Sequence, residues 1–332
     1  MNKRTGALGA LLLGVALTAT ACGGDTAAEG SGEGGPESIS IGISQLVEHP
    51  SLDAAREGFV RALEENGYTE GENLELDVQN AQADQATATT IASTFAADGK
   101  DLVLAIATPA AQAAAQAIPD IPVLFTAVTE PEVAGLVSSW DAPGANVTGT
   151  SDLNPVAEQL GLIKELDPDA KSVGIVYSSG EVNSEVQVEL AEEAAKELGL
   201  EVKLATVSNS AEVQQATESL DVDALYIPTD NNVVSALQTV IQIAEAKQLP
   251  VVVGEGDSVE NGGVATYGLD YESLGYQTGL MALKVLEDGA DPAEMPVETL
   301  EEIQLIINKS AAERLGVELS QEMLDKADKV IE

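Results

Sequence analysis

Three carboxylates stand just beyond short apolar runs. Glu181 follows Ser172–Tyr177, Asp230 follows Ala224–Ile227, and Glu255 follows Val251–Val253. Acids gathered in this way suit an ammonium group through charge-assisted hydrogen bonds. Taken singly, each reads as a solvated surface acid in a very acidic chain. Asp230 has a second reading. Pro228 ends the run before it, and Thr229, Asp230, Asn231 and Asn232 supply capping side chains to the helical pattern that begins at Val233. In the other half, Thr108 suits an N-cap and Pro109 the first helical position, and Ala110–Ala115 continues without bulky side chains. Free N–H groups and the helix dipole there favour a carboxylate, with ordinary capping as the plainer alternative.

Residues that would make or break bonds are scarce. His49 is the only histidine and Cys22 the only cysteine, so nothing has the spacing of metal ligands. There is no Gly-x-Ser-x-Gly elbow and no Walker loop. Gly30, Gly32 and Gly35 match Gly-x-Gly-x-x-Gly, but no strand precedes them, so the dinucleotide reading fails its context test. No cofactor or metal is expected. His49 reads as a loop residue shaping a cleft rim. The rival is an extracytoplasmic hydrolase resting on His49 and the many serines.

The elements that must position these residues alternate between strand and helix. Ile39–Ser44, Leu74–Val78, Leu102–Ala105 and Val123–Thr126 read as strands, with amphipathic or alanine-rich helices between them. A second series, Ser172–Tyr177, Glu201–Val207, Ala224–Ile227 and Val251–Val253, repeats the programme. The expectation is an α/β fold of two similar, doubly wound parallel-sheet lobes. Lobe 1 is expected to span residues 38–149 and 262–292, and lobe 2 residues 150–261 and 293–332, with several strands crossing between them as a hinge. Ligands in such sheets lie outside the carboxyl ends of the strands, where all the candidates above fall.

At 332 residues the chain has room for two domains, and a hydrophobic fraction of 44% supplies a core. A net charge of −41, from 56 acidic against 15 basic residues, excludes a nucleic-acid partner. It reads as a solvated, soluble surface. Residues 1–21 have the positive start, short apolar core and small-residue end of a signal peptide. Cys22 follows Ala19-Thr20-Ala21 as in a bacterial lipobox, though Ala19 stands where Leu is usual; acylation there would tether the protein outside the cell membrane. Residues 22–37, rich in Gly, Ser and Glu, read as a flexible tether.

Several stretches together resemble one family. They are Ile43-Ser44-Gln45 with His49-Pro50-Ser51-Leu52-Asp53, Ile106–Gln112, Asn146–Asp152, Tyr226–Asn231 and Gly268–Tyr271. The chain is similar to the ABC transporter substrate-binding lipoproteins that take up tryptophan or tyrosine. The resemblance implies a periplasmic-binding-protein type I fold, a monomer that closes on an amino-acid-like ligand, and a membrane permease as partner. It places ligand contacts at Gln45, Thr108, Thr129, Asp152, Glu181, Asn183, Asp230 and Glu255. Where relatives have Asp after the Val-Thr pair, this chain has Glu130, a longer acid expected to alter the pocket. A sensor of the same fold, signalling to a membrane receptor, is the alternative.

Overall fold

A computed structural model describes residues 38–332; the signal-like segment, Cys22 and the tether lie outside the described residues. In chain order the first elements are β1 (Ile39–Gln45), α1 (Pro50–Glu65), β2 (Leu74–Asn80), α2 (Gln85–Asp98), β3 (Leu102–Ile106), α3 (Thr108–Ala117), β4 (Val123–Thr126) and β5 (Val147–Ser151). Then come α4 (Val156–Leu166), β6 (Ser172–Ser178), α5 (Val182–Leu198), β7 (Glu201–Val207), α6 (Val213–Ser219), β8 (Ala224–Ile227), α7 (Asn231–Ser235), α8 (Leu237–Lys247), β9 (Val251–Val253), α9 (Gly256–Glu260) and β10 (Ala265–Gly268). The last are α10 (Tyr271–Leu286), β11 (Glu298–Thr299), β12 (Gln304–Asn308), α11 (Lys309–Arg314), α12 (Gln321–Lys326) and β13 (Lys329–Ile331).

The strands form two sheets. One has the order β2-β1-β3-β4-β5-β11 and the other β7-β6-β8-β9-β10-β12-β13. All pairings are parallel except β10 with β12. Strands β3, β4, β8 and β9 are buried along their whole length. Their unbroken apolar runs are what sheets covered by helices on both faces require. Each sheet has its own apolar core, one around Phe59, Phe95 and Phe125, the other around Ile175, Tyr226 and Val252. The order of the first five strands is the same in both sheets, so each has a switch point beside its first strand, where the connections diverge.

The chain crosses between the lobes three times: after β5, between β10 and α10, and between β11 and β12. Two of these places differ from the sequence expectation. Ala265–Gly268 falls in the range expected for lobe 1, but it pairs with β9 and β12 in the second sheet. Glu298–Thr299 falls in the range expected for lobe 2, but it pairs with β5 in the first. A strand of two to four residues carries too few side chains to show which core it faces. The helical pattern expected from Val233 onward is also two helices, broken at Ala236, where ψ rises to 18°.

Helix α10 returns to the first lobe and lies directly on α1. A Cβ at Gly58 would fall 1.9 Å from the Glu272 carbonyl oxygen, and one at Gly275 1.8 Å from that of Ala55. Only glycine lets the two backbones approach this closely.

Candidate functional site

The carboxyl ends of the two sheets face each other across a narrow, largely enclosed pocket. The first lobe lines it with His49, Ser51, Leu52, Ala127, Thr129 and Tyr271. The second contributes Asn183, Thr229, Asn231, Val234 and Glu255, and Asp152 joins from the first crossing. A wider vestibule shares His49, Ser51, Val234 and Glu255 with it and opens past Pro50 and Leu237.

On the first lobe the pocket meets the start of α1. His49 is the residue before this helix, its side chain caps nothing, and Pro50 occupies the first turn. The dry surroundings of its ring push the imidazole down to about 4, so His49 is neutral at physiological pH. Its Nδ1 and the Ser51 Oγ are buried without a hydrogen-bond partner. Ser51 Oγ lies near the carboxylates of Glu255 and Asp257 of the second lobe without closing a hydrogen bond to either. Tyr271 OH donates to Asp152 Oδ2 at 2.6 Å, and Thr129 Oγ1 donates to Asp152 Oδ1 at 3.0 Å. Burial raises the Asp152 carboxyl above its ordinary range despite these two donors.

The second lobe holds a compact polar network. Asp230 caps α7 by accepting from Val233 N at 2.9 Å, while its other oxygen accepts from Ser178 N at 2.5 Å and Ser184 Oγ at 2.7 Å. Glu181 accepts from the carboxamides of Asn183 at 3.2 Å, Asn231 at 2.5 Å and Asn232 at 2.9 Å. Desolvation, with Asp230 close by, pushes Glu181 up to about 7. Glu255 caps α9, accepting from the backbone N–H of Ser258 at 3.0 Å and from its hydroxyl. Burial and the neighbouring Asp257 push it up to about 7 as well.

Of the eight expected ligand contacts, the pocket brings together Thr129, Asp152, Asn183 and Glu255. Gln45 is buried but engaged within its own lobe, donating to Asp53 and Val47 and accepting from Arg56. Glu181 and Asp230 sit behind the lining, their oxygens taken by the donors just described. Thr108 is not the N-cap but the first residue of α3. The cap position is Ala107, held at φ 80° and ψ 152°, a region that side chains other than glycine rarely enter. Thr108 Oγ1 is buried and unpartnered, outside the pocket lining. Glu130 does not reach the pocket either: its carboxylate accepts from Trp140 Nε1 at 2.9 Å. The sequence reading missed Ser51, Val234 and Tyr271 as lining residues, whereas Asn231 lies in the strand-end stretch Thr229–Asn232 that it singled out. His49-Pro50 opening a long amphipathic helix was the available signal for Ser51, and nothing local marked Tyr271.

Two α/β lobes, three crossings and a buried polar pocket between strand ends define a solute-binding protein of the type I periplasmic-binding fold. The chain belongs to the ABC transporter substrate binding protein family, whose model matches residues 40–331. It is 48% identical over 281 residues to a tyrosine-binding protein of Clostridioides difficile, covering 84% of this chain and 81% of that one. Its fold matches a Streptococcus pneumonia ABC domain solved in complex with L-Trp, with a TM-score of 0.85 at 38% identity, over 89% of this chain and all of the other. A ligand-free, open structure of a substrate binding protein with adhesive properties from Clostridium difficile gives a TM-score of 0.66 at 46% identity, over 88% of this chain and 99% of that one.

Proposed function

We propose that this chain is the extracytoplasmic capture component of an ABC importer and that it closes on an amino acid with an aromatic side chain. The observation that carries the reading is the set of buried, unpartnered polar atoms from both lobes around one pocket: Ser51 Oγ and His49 Nδ1 from the first, Asn183 Oδ1 from the second. Buried polar atoms ordinarily have partners, so a ligand is the natural source. Asn183 Oδ1 and Asp152 are assigned to the ligand ammonium. The Ser51 hydroxyl and the free N–H groups in the first turn of α1 are assigned to its carboxylate. Leu52, Val234 and Tyr271 give the side chain apolar walls. The named relatives bind tyrosine and tryptophan, which supports the aromatic class.

Closure is the second part of the proposal. The chain matches the tryptophan-bound structure better than the more similar ligand-free, open one, which supports a closed arrangement of the lobes here. Ligand contacts made to both lobes only when closed would shift the equilibrium that way. Titration calorimetry with L-tyrosine, L-tryptophan and L-leucine tests the reading, with small-angle scattering on the same samples. The aromatic amino acids should bind and make the protein more compact. Absence of binding by either aromatic amino acid would overturn the reading.

Cys22, outside the described residues, is proposed as the acylated anchor that keeps the protein near its permease. Stable attachment needs more than one acyl chain, which lipoprotein processing supplies. Cys22→Ser should move the protein from the membrane to the soluble fraction. A wild-type protein already wholly soluble would sink this assignment.

A further inference from the structure

Asn183 presents a fixed polarity to the pocket. Its Nδ2 is surrounded by three oxygens: Glu181 Oε2 at 3.2 Å, Ser184 Oγ at 3.3 Å and the Thr229 carbonyl at 3.2 Å. Each of these is an acceptor here. The Ser184 hydrogen is already committed to Asp230, the Thr229 oxygen is a carbonyl, and Glu181 takes four donors in all. Turning the carboxamide over would set oxygen against oxygen at all three contacts. The amide orientation therefore follows from the network. Oδ1 is left as a buried acceptor with no donor of its own, on a pocket-lining residue only 4% exposed.

Glu181 is the common fixing point. It binds Nδ2 of Asn231 as well, so the same end of Asn231, which also lines the pocket, is committed to Glu181. Nδ2 of Asn232 completes the set and links to Ser178 Oγ at 3.2 Å. Glu181 itself does not line the pocket.

We infer that Glu181 is a positioning residue that sets the acceptor polarity of the pocket, so that the site demands a hydrogen-bond donor from its ligand and rejects the ligand's deaminated counterpart. The inference rests on the amino-acid reading above and deepens it. An unpaired buried acceptor is what makes a site reject an analogue lacking the matching donor, by far more than a missing methylene would. Glutamine at position 181 would keep the volume but bring its own NH2 against the asparagine NH2 groups. At least one carboxamide would then turn over and offer a donor to the pocket.

The test compares L-tyrosine with 3-(4-hydroxyphenyl)propanoate, its deaminated form, by calorimetry on the full chain. Wild type should prefer L-tyrosine by about a hundredfold or more. In Glu181→Gln that ratio should fall at least about tenfold, through weaker tyrosine binding and unchanged or tighter binding of the analogue. A merely structural role would weaken both ligands alike and leave the ratio standing, which would overturn the inference. Should Glu181→Gln fail to fold, Asn183→Ala decides. It removes the Oδ1 acceptor together with the Nδ2 that Glu181 holds, and an unchanged ratio there also overturns the inference. Equal wild-type affinity for the two ligands would instead refute the amino-acid reading, and the role of Glu181 with it.

Discussion

At Asp230 three donors converge on one carboxylate, and none comes from the pocket. The residue joins the end of β6, the start of α5 and the start of α7 into one rigid floor beneath Asn183 and Asn231. Asparagine caps helices about as well as aspartate, so it would keep the bond from Val233. Its NH2 would then face the Ser178 N–H, donor against donor. Leaving a buried group unsatisfied costs about 1–3 kcal/mol. Asp230→Asn should therefore lower the stability of the ligand-free protein by about that amount, measured by urea unfolding, while the preference for L-tyrosine over its deaminated form stays near wild type. A variant of wild-type stability that had lost this preference would return Asp230 to the ligand.

The contact between α1 and α10 decides how the pocket is framed. Helix α1 meets the pocket with Ser51 in its first turn, and α10 starts there with Tyr271. Their close approach fixes both starts relative to one another. A methyl at Gly275 would meet the Ala55 backbone oxygen at 1.8 Å, and backbone cannot rotate aside as a side chain can. Overpacking of this kind typically costs about 1–3 kcal/mol, sometimes more. Gly275→Ala should lower the unfolding midpoint and weaken ligand binding together, because Tyr271 and Ser51 would move apart. The neighbouring Leu280→Ala, at a half-exposed position of α10, should do neither. If Gly275→Ala matched wild type in melting temperature, the close approach would not be needed.

Across the whole molecule, the dry seam at the strand ends holds Asp152 from the first crossing and Glu181, Asp230 and Glu255 from the second lobe. Glu255 is held up to about 7 by burial, against its ordinary 4.5. The native protein thus keeps a proton that the unfolded chain releases. Stability from this group is full below about pH 4.5 and is lost as pH rises through about 7, with a slope approaching 1.4 kcal/mol per pH unit. His49 works in the opposite sense, because its native value of about 4 lies below the ordinary 6.5. Its contribution is lost as pH falls from about 6.5 towards 4. Above about pH 6.5 only the acids matter, and the ligand-free protein should weaken between about pH 6 and pH 8. Glu255→Gln should remove much of that decline and be the more stable form at the upper end. Urea midpoints for both proteins at the two pH values check this. Parallel declines would show that Glu255 is not a source of the pH dependence.

The lobes' inner strands were legible in the chain alone, because runs such as Leu102–Ile106 and Val251–Val253 are apolar on both faces and can only be covered strands. So was the place of the chemistry at strand ends, since polar residues collect there and nowhere else within those runs. The repeat of the strand pattern in two halves was legible for the same reason. Which sheet the short strands Ala265–Gly268 and Glu298–Thr299 join was not legible in the chain alone, because pairing partners far along the chain set that choice. Nor was it legible which polar residues face the ligand space. Glu181, Asp230 and Glu255 look alike in sequence, each an acid just past a strand. Yet Glu255 lines the pocket, whereas Asp230 and Glu181 are consumed by donors from Ser178, Ser184, Asn183, Asn231 and Asn232. Those donors arrive from three separate segments, and a carboxylate goes where its hydrogen bonds are made. Local pattern can place an acid at a strand end, but only the assembled neighbourhood determines whether that acid is free to meet a ligand.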